Sequence, residues 1–248
     1  MTTTACDKLI VALDVDTKAK AMTLVDALQE VAGMFKIGSQ LFTAAGPDIV
    51  REVIQRGAKI FLDLKFHDIP ATVAAAGVEA TRLGVSIFNI HASGGGEMLK
   101  RTAEAVSECA GREGLSRPKV IAVTLLTSSD ALELDQVGIE RSPADQAVLL
   151  ARLAIDNGMD GVVASPQEIS LVRSISGGSD FIIVTPGVRP AGSENHDQKR
   201  VMTPAEAIAR GADYLVVGRP ILSASDPVAV AENIVREISD GMKASAGA

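Results

Sequence analysis

The sequence predicts a (β/α)8 TIM barrel, a closed ring of parallel strands with a helix after each. Three observations carry that prediction. Eight short runs of strand composition recur through the 248 residues, helical periodicity fills the gaps between them, and glycines mark the joins from helix to strand. Strands that alternate with helices pair in parallel, because a parallel neighbour is reached only through a crossover. Eight such units fit a closed barrel, where an open doubly wound sheet more often has about five to seven strands. No Gly-x-Gly-x-x-Gly fingerprint of a dinucleotide-binding sheet follows the first run.

The strand runs are Leu9 to Val15, Met34 to Ser39, Lys59 to Lys65, Ser86 to Ala92, Val120 to Thr127, Gly161 to Ser165, Phe181 to Gly187 and Tyr214 to Gly218. Helical periodicity covers Ala19 to Val31, Glu97 to Glu108, Ala144 to Asn157 and Pro227 to Ile238. Asp226 before Pro227, and Ser142 before Pro143, read as N-caps followed by proline at the first helical position. Gly57, Gly84, Gly158 and Gly211 stand where a left-handed helix cap is needed. Gly94-Gly95-Gly96 reads as a turn. With no linker or low-complexity stretch, residues 1–248 read as a single barrel domain, with a frayed tail from Gly241 to Ala248.

Hydrophobic residues make up 47% of the chain and charged residues 22%, enough for a substantial core. The net charge of -7 and pI near 5.1 argue against nucleic acid or an anionic membrane as partner, while leaving room for a local basic phosphate pocket. Cys6 and Cys109 are too few for a disulfide framework and lack metal-ligand spacing. No run approaches the ~18 apolar residues of a membrane span, and the first residues have no apolar signal segment, so a cytoplasmic protein is expected.

In such a barrel the active site lies at the C-terminal ends of the strands, so the polar residues there form one constellation. They are Asp14, Lys36, Asp63 with Lys65, Asn89 with His91, Thr127 with Ser128, Arg189 beyond Pro186, and Gly218-Arg219. Asp63 and Lys65 stand two apart, so a regular strand would project them from one face. A lysine flanked by carboxylates suits proton donation better than Schiff-base chemistry. Alternating signs at Asp14, Lys36, Asp63 and Lys65 predict a continuous network, and burying it costs several kcal/mol per ion, so stability alone does not explain it.

Arg189 and Gly218-Arg219 fall in the loops after strands seven and eight, where barrels of this kind commonly bind phosphate. Gln198 lies in the polar Pro190 to Arg200 stretch, which reads as a lid. His67 and His91 read as turn and mouth hydrogen-bonders and His196 as an exposed lid residue. No zinc spacing and no Gly-x-Ser-x-Gly elbow is present.

Leu13-Asp14, Phe35-Lys36-Ile37-Gly38, the run Phe61 to Pro70 with Thr72, Leu126-Thr127-Ser128, Thr185-Pro186-Gly187-Val188-Arg189, Gln198 and Val217-Gly218-Arg219-Pro220-Ile221 resemble the bacterial type of the orotidine 5'-phosphate decarboxylase family over nearly the whole chain. The resemblance implies a carboxy-lyase of UMP synthesis needing neither metal nor cofactor. It makes Lys65 the proton donor to C6 of the pyrimidine and sets Asp63 against the departing carboxylate. Asp14 and Lys36 would bind ribose hydroxyls, and Thr127 or Ser128 would face the pyrimidine edge. Arg189, Gln198, Gly218 and Arg219 would hold the phosphate, with Pro186 beside them. Asp68, Ile69 and Thr72 would reach into the other subunit's site, making an obligate homodimer. The rival within the same barrel group is a metal-dependent sugar-phosphate decarboxylase or aldolase. Relatives of that kind tend to carry a magnesium-binding glutamate where this chain has Lys36, and an ammonium there opposes a divalent cation.

Overall fold

A computed structural model of the chain describes residues 3–178, 180–190 and 202–246. A short 3-10 turn at Cys6–Lys8 leads into β1 (Leu9–Ala12). There follow α1 (Lys18–Leu28), β2 (Met34–Gly38), α2 (Ser39–Ala45), α3 (Asp48–Gln55), β3 (Ile60–Phe66) and α4 (Pro70–Arg82). The middle of the chain forms β4 (Ile87–His91), α5 (Gly96–Glu113), β5 (Lys119–Val123), α6 (Ala131–Gln136) and α7 (Pro143–Asp156). The last third supplies β6 (Gly161–Val163), α8 (Ile169–Ile175), β7 (Ile182–Pro186), α9 (Pro204–Ala209), β8 (Tyr214–Val217), α10 (Arg219–Leu222) and α11 (Pro227–Ala246). The strands pair in parallel in chain order and close, β8 on β1, into the expected barrel.

Strand alternation sorts the apolar residues into two cores. Ile10, Ala12, Met34, Phe61, Ile87, Ile121, Val123, Val163, Val184 and Val216 fill the barrel interior. Their neighbours one residue along, such as Val11, Phe35, Leu62, Phe88 and Ile183, face outward and pack with the helices. The inward rows continue upward into polar residues: Ala12 is followed by Asp14, Met34 by Lys36, Phe61 by Asp63 and Ile87 by Asn89. The same alternation that builds the floor therefore aims the polar side chains at the mouth.

The expected punctuation is present. Asp226 accepts from the Ala229 N–H at 3.0 Å and Ser142 from the Asp145 N–H at 3.1 Å, each capping its helix. The four helix-to-strand glycines all have positive φ, from 75° to 105°. Not every expectation holds, and the first strand already ends at Ala12, short of Val15. The tail does not fray at Gly241, because α11 runs on to Ala246. A Cβ on Gly241 would meet the Ala205 carbonyl oxygen at 2.5 Å, so glycine lets α11 lie against α9 and packing extends the helix. The fifth strand stops at Val123 rather than Thr127. Thr124 still bonds the Val163 carbonyl through its N–H at 3.2 Å and its hydroxyl at 2.9 Å, after which the chain leaves the ladder toward the mouth.

Candidate active site

The C-terminal mouth opens into a cavity of about 370 Å3, floored by Ala12, Phe61, Val123, Val163 and Val216 from the inner core. Asp14, just beyond β1, and Lys36 on β2 are the first pair. The Lys36 ammonium donates to Asp14 Oδ1 at 2.9 Å and lies 3.2 Å from Asp63 Oδ2. Lys65 donates to the other Asp63 oxygen, Oδ1, at 2.6 Å. The four side chains thus form the alternating chain Asp14, Lys36, Asp63, Lys65. Burial is deepest in the middle: Lys36 and Asp63 are each 10% exposed, against 34% for Lys65 and 54% for Asp14. For Lys36 the largest single influence is burial, which disfavours the ammonium, but Asp63 and Asp14 together outweigh it and hold its pKa above the ordinary lysine value. Space for this ammonium depends on Gly38, where a Cβ would come within 3.1 Å of Lys36 Nζ.

Asp63 and Lys65 meet, but not by the regular alternation expected of them. β3 and β4 pair Leu62 with Phe88 and next Phe66 with Ile90, so β3 advances four residues while β4 advances two. The surplus is a bulge spanning Asp63 to Lys65, and within it Lys65 has a φ of 51°. Among the described non-glycine residues, Lys65 is the one with positive φ. A left-handed backbone at a lysine costs on the order of 1–3 kcal/mol and persists only where its surroundings enforce it. Asn89, fully buried on β4, lies opposite the bulge. Its Oδ1 accepts the Lys65 N–H at 2.8 Å and its Nδ2 donates to Asp63 Oδ1 at 2.7 Å. Sequence reasoning placed Asn89 at the mouth without giving it work. Its signal was its place on the inward row of β4, between Ile87 and His91.

Across the mouth, Thr127, Ser128, Pro186, Arg189, Gly218 and Arg219 line the same cavity. The Arg189 N–H donates to the Met202 carbonyl at 3.1 Å, drawing together the two ends of the connection that leaves β7. Gln198 and His196 fall outside the described residues. Four cationic side chains, Lys36, Lys65, Arg189 and Arg219, line this cavity together with the carboxylates Asp14 and Asp63 in a chain of net charge -7. Cationic side chains gathered at one cavity suit an anionic ligand.

Asp68, Ile69 and Thr72 do not line their own chain's cavity. They sit exposed where β3 turns into α4, with Asp68 Oδ1 accepting the Ile69 N–H at 2.6 Å and Ile69 66% exposed. His67 and His91 stack loosely at the rim, ring centroids 5.3 Å apart. Burial, then the nearby His67 and Lys65 charges, press the His91 pKa below the ordinary histidine value, with Asp63 partly opposing them. Cys6 and Cys109 are both free thiols. Among the described residues no three His, Cys, Asp or Glu side chains gather to hold a metal ion, and no helix is long and apolar enough to cross a membrane.

Comparison with known proteins gives the family. The family profile described as "Orotidine 5'-phosphate decarboxylase / HUMPS family" matches residues 7–234. The chain is similar to an orotidine 5'-phosphate decarboxylase of Moorella thermoacetica, with 56% identity over 235 residues that cover 94% of this chain and 93% of that protein. It is similar also to one of Geobacter sulfurreducens, at 55% over 237 residues, 96% of this chain and 98% of that protein. The crystal structure of orotidine 5'-phosphate decarboxylase from Lactobacillus acidophilus superposes with a TM-score of 0.81 at 38% identity, covering 93% of this chain and 98% of that one. The matched span runs from the turn before β1 into α11 and takes in all eight strands, and the chain belongs to the orotidine 5'-phosphate decarboxylase / HUMPS family.

Proposed function

We propose that this chain is a carboxy-lyase that converts orotidine 5'-phosphate to UMP in pyrimidine biosynthesis, without metal or cofactor. The observation that carries the reading is the alternating Asp14, Lys36, Asp63, Lys65 chain facing two arginine-bearing loops across one cavity. Breaking the bond from C6 to the carboxylate releases CO2 and leaves the electron pair at C6, in the ring plane and outside the π system. Stabilisation must then come from charge placed beside that carbon. Lys65 supplies the charge and transfers its ammonium proton to C6, and the resulting amine regains a proton from solvent. Asp63 holds Lys65 and crowds the substrate carboxylate. One such repulsion at ~4 Å, in an effective dielectric of about 20, amounts to about 4 kcal/mol and is a minor part of the barrier.

The remaining assignments extend that reading. Arg189, Arg219, Gly218 and Gln198 hold the phosphate beside Pro186, and Asp14 and Lys36 take ribose hydroxyls. Thr127 or Ser128 faces the pyrimidine edge. Phosphate binding provides energy that organises the charged side for the transition state. Asp68, Ile69 and Thr72 complete the site of a second subunit, so the working unit is a homodimer of single-domain chains, acting in the cytoplasm. Their exposed position outside their own cavity supports the shared site. The ammonium of Lys36 lies between Asp14 and Asp63, where a metal-dependent sugar-phosphate enzyme would need a cation ligand, and this disfavours the rival.

The test is product analysis with EDTA present: one CO2 and one UMP for each orotidine 5'-phosphate consumed. No UMP, with magnesium-dependent turnover of a ketose phosphate instead, would overturn the proposal. Mixing Lys65→Ala and Asp68→Ala subunits is expected to restore part of the activity that each variant lacks alone. No recovery in verified heterodimers would show that each chain works by itself.

A further inference from the structure

We infer that Asn89 is a positioning residue, the clamp that holds both Lys65 and Asp63 in their working geometry. The inference rests on the decarboxylase reading above. The bulge in β3 interrupts the ladder with β4 at Lys65, leaving a part-buried N–H to be satisfied from elsewhere. The Asn89 carbonyl takes that donor at 2.8 Å, at the one described non-glycine residue with a left-handed backbone. The amide nitrogen of the same side chain donates to Asp63 Oδ1 at 2.7 Å, the oxygen that Lys65 Nζ approaches at 2.6 Å. A flipped amide would set N–H against N–H and carbonyl against carboxylate, so the two neighbours fix its orientation.

The clamp itself stands on firm ground. β4 keeps unbroken register with β5 from Ile87↔Lys119 to His91↔Val123, so the Asn89 backbone is anchored on the side away from the bulge. Asn89 is fully buried, and no solvent competes for either bond. One side chain therefore joins a main-chain N–H to a carboxylate and sets where the Lys65 ammonium leaves the strand. Asparagine presents a separate acceptor atom and donor atom at that reach, and glutamine is a methylene longer. Aspartate of the same size keeps the acceptor and puts an anion against Asp63. Alanine removes both bonds.

The test compares Asn89→Ala and Asn89→Asp with wild type for turnover of orotidine 5'-phosphate, KM and the dissociation constant of UMP. Misplacing a reacting group by about 1 Å costs roughly 10²-fold, so kcat is expected to fall by about that factor in the alanine variant and further in the aspartate one. KM and UMP affinity, which depend on the phosphate loops across the cavity, should stay within about threefold of wild type. Near-normal kcat in either folded variant overturns the inference. So does a loss explained wholly by fewer UMP-binding sites, or a failure of both variants to fold, since Asn89 would then be a folding determinant only. If wild type does not decarboxylate orotidine 5'-phosphate at all, the underlying reading fails instead, and the two failures are told apart by the wild-type arm.

Discussion

The two mouths of the barrel carry the same kinds of charge and use them differently. At the N-terminal mouth Asp160, just before β6, accepts the Val120 N–H at 2.7 Å and two contacts from Arg117 Nη1 at 2.8 and 2.9 Å. Asp213, just before β8, repeats the device: it accepts the Ile183 N–H at 2.8 Å and Arg173 Nη2 at 2.5 Å, while Arg173 also donates to the Phe181 and Gly211 carbonyls. Each carboxylate there caps a strand start and each arginine spans neighbouring chain ends. At the C-terminal mouth Asp63 receives Lys36, Lys65 and Asn89, all side-chain donors, and the network faces a cavity. Charge alone therefore does not mark a site. Charges bonded to backbone hold strands together, whereas charges bonded chiefly to one another above a cavity stay free to act on a ligand.

The sharpest way to break this contrast is Lys65→Ala, which removes the charge nearest the bulge. Turnover of orotidine 5'-phosphate is expected to drop by at least about 10³-fold, combining lost proton donation and lost electrostatic stabilisation. Lys36→Met sits next in size. It leaves Asp14 and Asp63 without the ammonium between them, lowering kcat on the order of 10²–10³-fold. It should also lower unfolding free energy in urea by about 3 kcal/mol, because breaking a buried pair strands the remaining charge. Arg173→Ala at the other mouth should invert that pattern. Calorimetry should show a fall in Tm of roughly 5 °C, from about 2 kcal/mol of lost hydrogen bonding, with kcat within about twofold of wild type.

The smallest effect is the pH dependence contributed by His91. Its folded pKa lies below its ordinary value of 6.5, so the unfolded chain takes up the proton first as pH falls. The contribution to stability is present above about 6.5 and is lost as pH drops through the lower folded value. Thermal melts between pH 7 and 5 should steepen accordingly, and His91→Gln should flatten part of that slope. An unchanged slope would remove His91 from the account.

The barrel was legible because its rules are local. Strand alternation, cap residues and helix-to-strand glycines can each be read within a few positions, and together they leave one closed order. The ionic chain was legible for a related reason: Asp14, Lys36 and Asp63 lie on the inward rows of their strands, two residues above the apolar floor. What could not be read was geometry that depends on two strands at once. The bulge at Asp63 to Lys65, the left-handed Lys65 and the clamp by Asn89 arise from a mismatch in advance between β3 and β4, which neither strand carries by itself. The length of α11 was missed likewise, since its last turns depend on the fit of Gly241 against α9.

Continuous ultraviolet absorbance shows whether the charged mouth decarboxylates orotidine 5'-phosphate. With no Trp and a single Tyr in the chain, the protein background is low. The assay would run wild type, Lys65→Ala and Arg173→Ala side by side in EDTA. The account predicts conversion to UMP by wild type and Arg173→Ala and essentially none by Lys65→Ala. Undiminished conversion by Lys65→Ala, or none by folded wild type, would contradict it.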